Sequence, residues 1–384
     1  MNISILVGLK NNIEYSQKFY KRFREIYPNE ELCFVSYGSN DGTHEWLDSL
    51  SDKNLNYYYS NEKKTFSDTF NKCAEIATKD YIVFCHNDIV ILDNWLENII
   101  KHLDKKIAVT YTTIEPPIFS SHVRPGKIIK DFGLDFDSVK FKDLEIYAKQ
   151  VQLDNKNKTI YGSAFFIAQN RELYLSIGGM HNLYSPMFCE DDDLLIRLKL
   201  LKVDLITSLD SLCYHFVSKT SRFSEEHKND SKKIEYNSNK NFIRKWGTTI
   251  KSDINGLPNI PHKYNIGFIA YNCNLQLMSI LEPWCSTLYT DDELGINEAA
   301  YYEEEQQNTS FDLKKRLKLI KHNTPNNDIL IEFDALKLTQ QSFNIITQLS
   351  DIITSSGEIG SFELDIFKIT INSMTTYEND LIHL

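Results

Sequence analysis

YIVFCHNDIVILD, Tyr81–Asp93, is the stretch on which the reading of this chain turns. Five apolar residues, Tyr81 to Cys85, stop abruptly at His86-Asn87-Asp88, and a second apolar run follows. A short unbroken apolar run reads as a strand buried on both faces. A carboxylate-bearing triplet at its carboxyl end sits where open α/β sheets bind ligands. Taken alone, the triplet is equally ordinary turn chemistry, so its meaning depends on what surrounds it.

Outward from this stretch, strands and helices alternate. Ile3–Gly8, Leu32–Tyr37 and Leu55–Tyr59 read as strands, and Glu14–Ile26, His44–Leu50, Phe66–Thr78 and Trp95–Leu103 as helices. Such alternation predicts a mostly parallel α/β sheet. Ile107–Tyr111, Ile160–Ala168, Val203–Thr207 and Leu212–Phe216 are further strands, and Glu115–Gly126, with three prolines, is a loop. Leu194, Leu195, Leu198 and Leu201 share one face of a helix whose first turn is Glu190-Asp191-Asp192-Asp193. The helix dipole favours carboxylates there, yet four in succession repel one another, which a simple cap does not require. Ser218–Ile250 is polar, with helical parts anchored by Trp246.

Residues 251–262 carry Gly256, Pro258 and Pro261, a linker composition that divides 1–250 from 263–384. Charge divides there too. Residues 261–384 hold 8 Lys/Arg against 18 Asp/Glu, net −10, and the remaining 34 and 35 leave 1–260 at −1. A net charge of −11 argues against a nucleic-acid partner. The second unit again alternates: strands at Asn265–Ala270, Ser286–Thr290, Ile329–Phe333 and Phe362–Ile371, helices at Leu275–Leu281, Phe311–Lys321 and Gln341–Ile353, and an acidic segment at Asp291–Glu305. The 7 cysteines are scattered without a CxxC, which suits buried thiols in a reducing compartment. The first residues lack a signal-peptide pattern, and no apolar run is long enough for a transmembrane segment. The expected location is cytoplasmic, with any lipid-linked substrate met at the membrane periphery. Oligomeric state is open, a homo-oligomer included.

Four features call for one explanation: Gly38-Ser39-Asn40-Asp41-Gly42-Thr43, His86-Asn87-Asp88, Glu190–Asp193 and His215. Their oxygen and imidazole donors suit Mn²⁺ or Mg²⁺. A divalent ion neutralises a diphosphate leaving group, and a carboxylate off the metal can act as general base. In order and spacing, these motifs together with Gly178-Gly179 resemble those of family 2 glycosyltransferases with the GT-A fold, over about residues 1–225.

The resemblance implies a metal-dependent, inverting glycosyltransferase. It would move a sugar from a nucleotide-diphosphate sugar to a hydroxyl of a glycan or glycolipid, as in polysaccharide biosynthesis. Asp88 and His215 would hold the metal and Asp191 would be the base. Glu190 and Asp193 would orient the acceptor or support the helix start. Leu9, Ser36, Tyr37, Gly38, Asp41, Asn71, His86 and Asn87 would line the nucleotide. This chain departs from the family pattern twice. Ser36 and Tyr37 stand where acidic residues usually precede the Gly-Ser, which leaves UDP, GDP and dTDP open. His86 stands in place of the first metal-motif carboxylate. The alternatives are an inactive sugar-nucleotide or glycan binder, and a nucleotidyltransferase, which would need a basic Gly-rich loop that the N-terminal region lacks. Tyr57-Tyr58-Tyr59 and Phe165-Phe166 read as core rather than sugar platforms. Residues 263–384 resemble a methyltransferase-type Rossmann domain only faintly. Tyr271-Asn272-Cys273-Asn274 replaces the Gly-rich turn a cofactor would need, so an acidic, non-catalytic α/β partner or acceptor-docking domain is expected.

Overall fold

The computed structural model describes residues 1–119, 124–217, 226–292 and 294–383. Parts of the expected loop at 115–126, of the polar region 218–250 and of the acidic segment 291–305 lie outside the described residues. In chain order the elements are β1 (Ile3–Leu9), α1 (Ile13–Ile26), β2 (Glu31–Tyr37), α2 (Thr43–Ser49), β3 (Leu55–Ser60), α3 (Phe66–Ile76), β4 (Tyr81–Cys85), β5 (Ile89–Ile91), α4 (Trp95–Ile100), β6 (Ile107–Glu115), β7 (Lys127–Ile129), α5 (Phe141–Asp154), β8 (Thr159–Tyr161), β9 (Ile167–Asn170), α6 (Arg171–Ser176), α7 (Glu190–Leu200), β10 (Asp204–His215) and α8 (Ser231–Trp246). There follow β11 (Ile266–Tyr271), α9 (Leu275–Leu281), β12 (Thr287–Thr290), α10 (Ile296–Glu305), α11 (Leu313–Arg316), β13 (Leu317–Leu319), β14 (Ile329–Asp334), α12 (Gln340–Ile346), α13 (Leu349–Ser356), β15 (Gly360–Leu364) and β16 (Phe367–Ile371).

The first sheet runs β3-β2-β1-β4-β9-β6-β10-β5, with β7 beside β6 and β8 beside β10. The strands β3, β2, β1 and β4 are mutually parallel. The apolar runs of β1, β2 and β4 are buried on both faces, as their unbroken hydrophobic pattern demands, whereas β3 at the sheet edge is largely exposed. The chain leaves β1 toward β2 and later returns to pair β4 on β1's other side. That reversal opens a crevice at the carboxyl ends of β1 and β4. The second sheet runs β13-β12-β11-β14-β16-β15, parallel through β14 and antiparallel at its hairpin. The expected α/β class, a mostly parallel sheet followed by a smaller α/β unit, is what forms.

Several expected elements differ. Ile160–Ala168 is not one strand. It breaks into β8 and β9, and the intervening Phe165 turns into a cluster with Phe66, Phe70, Phe84 and His86. Val203–Thr207 and Leu212–Phe216 are instead one strand, β10, with a register shift between Ser208 and Leu212. Phe311–Lys321 forms only the short α11 before it becomes β13, because Leu317 pairs with Leu288 of β12. Phe362–Ile371 is a hairpin, turned where Asp365 adopts a positive φ of 55°.

Two groups of contacts tie the second unit to the first. On α8, buried Arg244 pairs with Glu282 at 2.7 Å and with Glu305 at 2.5 Å, and Arg316 also reaches Glu282. Near the end of the chain, Ile382 is buried in the same cluster as Leu194, Leu195 and Leu198 of α7, and its carbonyl accepts from Arg197 at 3.4 Å.

Candidate functional site

Strand register builds the site. His86-Asn87-Asp88 leaves β4 at the crevice, and β5 turns back to pair antiparallel with β10, matching His215 to Ile89. The Phe216 amide donates to the Asp88 carbonyl at 3.0 Å, which fixes that approach. As a result, residues more than a hundred apart in sequence converge. The ligand atoms of His86, Asp88 and His215 lie within 4.8 Å of one another. His86 Nδ1 is 3.7 Å and His215 Nε2 3.5 Å from Asp88 Oδ1.

Electrostatics separate the two imidazoles. Burial pushes His86 down to about 4, against the pull of Asp88, so it is neutral at pH 7 and has a lone pair to give. Burial also opposes charge on His215, but Asp88 and Glu115 outweigh it and raise that ring to about 9, so a bound cation would have to displace its proton. Glu115, at the end of β6, lies 3.4 Å from His215 Nδ1 and is drawn to about 2 because that pairing overcomes its own burial. A carboxylate behind a ligating histidine is the usual partner that orients a metal ligand. His86 Nε2 and Asn87 Oδ1 are buried and find no hydrogen-bond partner among the described residues. Two nitrogens and a carboxylate in one cluster, with an unsatisfied polar atom on His86, fit a divalent cation. Imidazole donors favour Mn²⁺ over Mg²⁺, which prefers oxygen.

Three cavities adjoin this cluster. One of about 160 Å³ is lined by Leu9, Lys10, Tyr37, Lys63 and His86. A second, about 310 Å³, lies between His86, Phe165 and Glu190–Asp192. The third and largest, about 880 Å³, is bounded by Arg124, Lys127, Phe165, Asp191, Asp192 and the 252–258 segment. The acidic turn thus faces two cavities. Phe188 and Cys189, with φ of 78° and 72°, precede it in the left-handed region that side chains rarely adopt, strain of a kind that collects at functional sites. Burial raises Asp191, and it raises Asp192 and Glu190 well above the usual carboxylate range, with mutual repulsion adding to the latter two.

The residues expected to contact nucleotide divide. Leu9, Tyr37 and His86 line the smallest cavity. Gly38, at φ 62°, belongs to its rim: its carbonyl accepts from Lys10 Nζ at 2.9 Å, and a Cβ there would crowd that ammonium. Ser36 is buried and bonded to Ser39 and His44, so it is a scaffold of the loop. Asp41 accepts from the Ile13 amide at 2.8 Å and from Thr43, tying the loop to the start of α1. The Asn87 amide donates to Ser16 at 2.9 Å. Asn71 departs furthest from the nucleotide role. Its carboxamide is consumed by the Met180 amide and carbonyl and by the Tyr174 hydroxyl, so it braces the Gly178-Gly179 turn.

Asp193 likewise has no side to offer an acceptor. Fully buried, it accepts from Arg197 at 2.8 Å, Trp246 at 2.9 Å and Tyr184 at 3.0 Å, and pairs with Lys245 at 2.7 Å. Of its two expected roles, the geometry leaves support of the helix. Glu190 is buried, its Oε2 without a hydrogen-bond partner among the described residues, on the wall of the 310 Å³ cavity. Sequence reasoning missed Asp192, which lines the same two cavities as Asp191, and Glu115, whose Pro116-Pro117 neighbours read only as a loop. It also placed Phe165 in the core, whereas that ring walls both larger cavities. Tyr57 and Tyr58 are exposed rather than core.

Residues 4–175 match the family model described as Glycosyl transferase family 2. A search of curated proteins finds no match. Among solved structures, the mannosyltransferase PcManGT from Pyrobaculum calidifontis, in complex with GDP-Man and Mn²⁺, aligns at 18% identity and TM-score 0.40, over 57% of this chain and 58% of its own. GalNAc-T7 with UDP, GalNAc and Mn²⁺ aligns at 12% identity and TM-score 0.42, over 56% of this chain and 44% of its own. S. aureus TarS 1–349 aligns at 12% identity and TM-score 0.41, over 66% of this chain and 76% of its own. The present chain therefore spans less than two thirds of the first two.

Proposed function

We propose that this chain, whose residues 4–175 match glycosyl transferase family 2, is a metal-dependent inverting glycosyltransferase. The observation that carries the reading is the meeting of His86, Asp88 and His215 at the switch point of the sheet, beside a cavity walled by Asp191. When bound to these three residues, a divalent ion supplies positive charge opposite the departing diphosphate.

The protein's own residues have separable tasks. Leu9 and Tyr37 enclose the nucleotide of a donor such as a UDP-, GDP- or dTDP-sugar. The transferred sugar occupies the cavity between His86, Phe165 and Glu190. Glu190, on the wall of that cavity with its carboxyl raised by burial, contacts a hydroxyl of the sugar. The acceptor enters through the largest cavity. Its hydroxyl proton passes to the Asp191 carboxylate as the acceptor oxygen bonds to the anomeric carbon. The bond from that carbon to the diphosphate breaks on the opposite face, which inverts the centre. A carboxyl raised by burial is a stronger base than one in water, as this step needs.

The test is release of nucleoside diphosphate from a panel of nucleotide sugars, with and without Mn²⁺. Mn²⁺-dependent release supports the reading, and binding without release marks an inactive sugar-nucleotide binder. In Asp191→Asn, turnover should fall by ~10²–10⁴ with donor affinity retained. If Asp192→Asn shows that loss and Asp191→Asn does not, the base is the neighbouring residue.

A further inference from the structure

The smallest cavity already contains an anion supplied by the protein. Lys10 extends from the end of β1 to its mouth, where its Nζ donates to the carbonyls of Tyr37 at 3.0 Å and Gly38 at 2.9 Å. An ammonium has three donors, so one direction remains. Glu226 takes it, with Oε2 3.6 Å from Lys10 Nζ, while Oε1 lies 3.2 Å from Lys63 Nζ. Lys10, Lys63, Glu226 and His86 all line this cavity, and His86 belongs equally to the metal cluster. One carboxylate therefore spans two ammonium groups at the place where a nucleotide's phosphates would have to lie.

We propose that Lys10 and Lys63 are a phosphate-binding pair for the donor's diphosphate, and that Glu226 is a resident competitor which the diphosphate must displace. This rests on the donor reading of the cavity given above. Three features support it. The backbone carbonyls hold the Lys10 ammonium in place whether or not an anion is present, so the site is pre-formed. The two oxygens of Glu226 bridge both cations much as two phosphate oxygens would. A diphosphate brings more charge and more acceptor oxygens than one carboxylate, so it replaces the contact with a stronger one. Partial burial works against charge on Glu226, but its lysine partners prevail and hold its carboxyl below the usual range, which keeps it a full anion at neutral pH.

The consequence is a donor affinity set by competition. Calorimetric titration of the full chain with UDP, GDP and inorganic pyrophosphate, each with and without Mn²⁺, reads it directly. Glu226→Gln keeps the shape and removes the charge. Its Kd for pyrophosphate and for the nucleoside diphosphate that binds should fall by roughly threefold or more, the range expected when a partly exposed ion pair is relieved. The gain should shrink at high salt. Lys10→Met should raise the same Kd. Wild type and Glu226→Gln binding UDP or GDP equally, or the variant binding more weakly, would overturn the competitor role while leaving the donor reading intact. Failure of every form to bind any of the three probes would overturn both.

Discussion

At the residue scale, the feature that sets this site apart is His86. It stands where a carboxylate would give an oxygen-rich set, and it packs among Phe66, Phe165 and Phe166. Those rings half-bury the imidazole and favour its neutral form, which in the proposed metal set would suit a softer cation than Mg²⁺. His86→Asp should therefore shift metal preference, raising Mg²⁺ affinity relative to Mn²⁺ in a competition titration; an unchanged ratio would remove His86 from the metal set. The reach of sequence reading also shows at this scale. The meeting of Asp88 and His215 was legible because each lies near a strand end in an order that resembles the family's. Glu115 was not. A lone acid after an apolar run has no signature until β6 and β10 are paired and it meets His215. Asn71 differs for the opposite reason: the family resemblance put it on the donor side, and only tertiary contact shows its amide spent on Met180 and Tyr174.

At the scale of elements, the Gly178-Gly179 turn and the first turn of α7 form one assembly. Arg197 bridges them. It pairs with Asp193 at 2.8 Å and donates to the carbonyls of Ile177 at 3.0 Å and Gly179 at 2.5 Å. Gly179 is required twice over, since its φ is 71° and a Cβ would run into the Asn71 carboxamide. Gly179→Ala should cost about 1–3 kcal/mol in urea denaturation and lower turnover through displacement of α7. Asp193→Ala strands two buried cations, and losing one partner of a buried pair typically costs about 3–5 kcal/mol. Its thermal midpoint should fall sharply, whereas Asp191→Asn, on the cavity wall, should unfold near wild type. Periodicity located α7 and most strands of the first sheet. It could not show that β8 and β9 separate, because the apolar run between them is as hydrophobic as a strand. Its aromatic residues are recruited by His86 and Phe84 instead of by a neighbouring backbone.

At the scale of the whole molecule, stability rests on carboxylates that are ionised because cations surround them. Asp193 and Glu282 are each lowered to about 2: burial opposes ionisation, but Arg197 and Lys245 overcome it for Asp193, and Arg316 and Arg244 for Glu282. Unfolded, such groups titrate near ~3.9–4.3. A depressed folded value gives stability that is complete above the unfolded range and is lost as pH falls toward 2. Each group should contribute ~2 kcal/mol to that loss. Urea midpoints should therefore drop steeply from pH 4 to pH 2.5, less steeply in Glu282→Gln compared with its own value at pH 5. The second unit's alternation was legible from its sequence, but its attachment was not, since nothing marks Arg244 and Glu282 as partners before the fold is known.

The burial of Ile382 against α7 should make the segment around it necessary for the proposed transfer. A chain lacking that residue would keep every group of the candidate site and still lose the apolar plug beneath the helix that carries Asp191. Trimming back to residue 377 should lower the thermal midpoint and turnover together while nucleotide binding, served by the opposite side of the crevice, persists. Loss of that segment would thus be read out as lost transfer before it appears as lost binding.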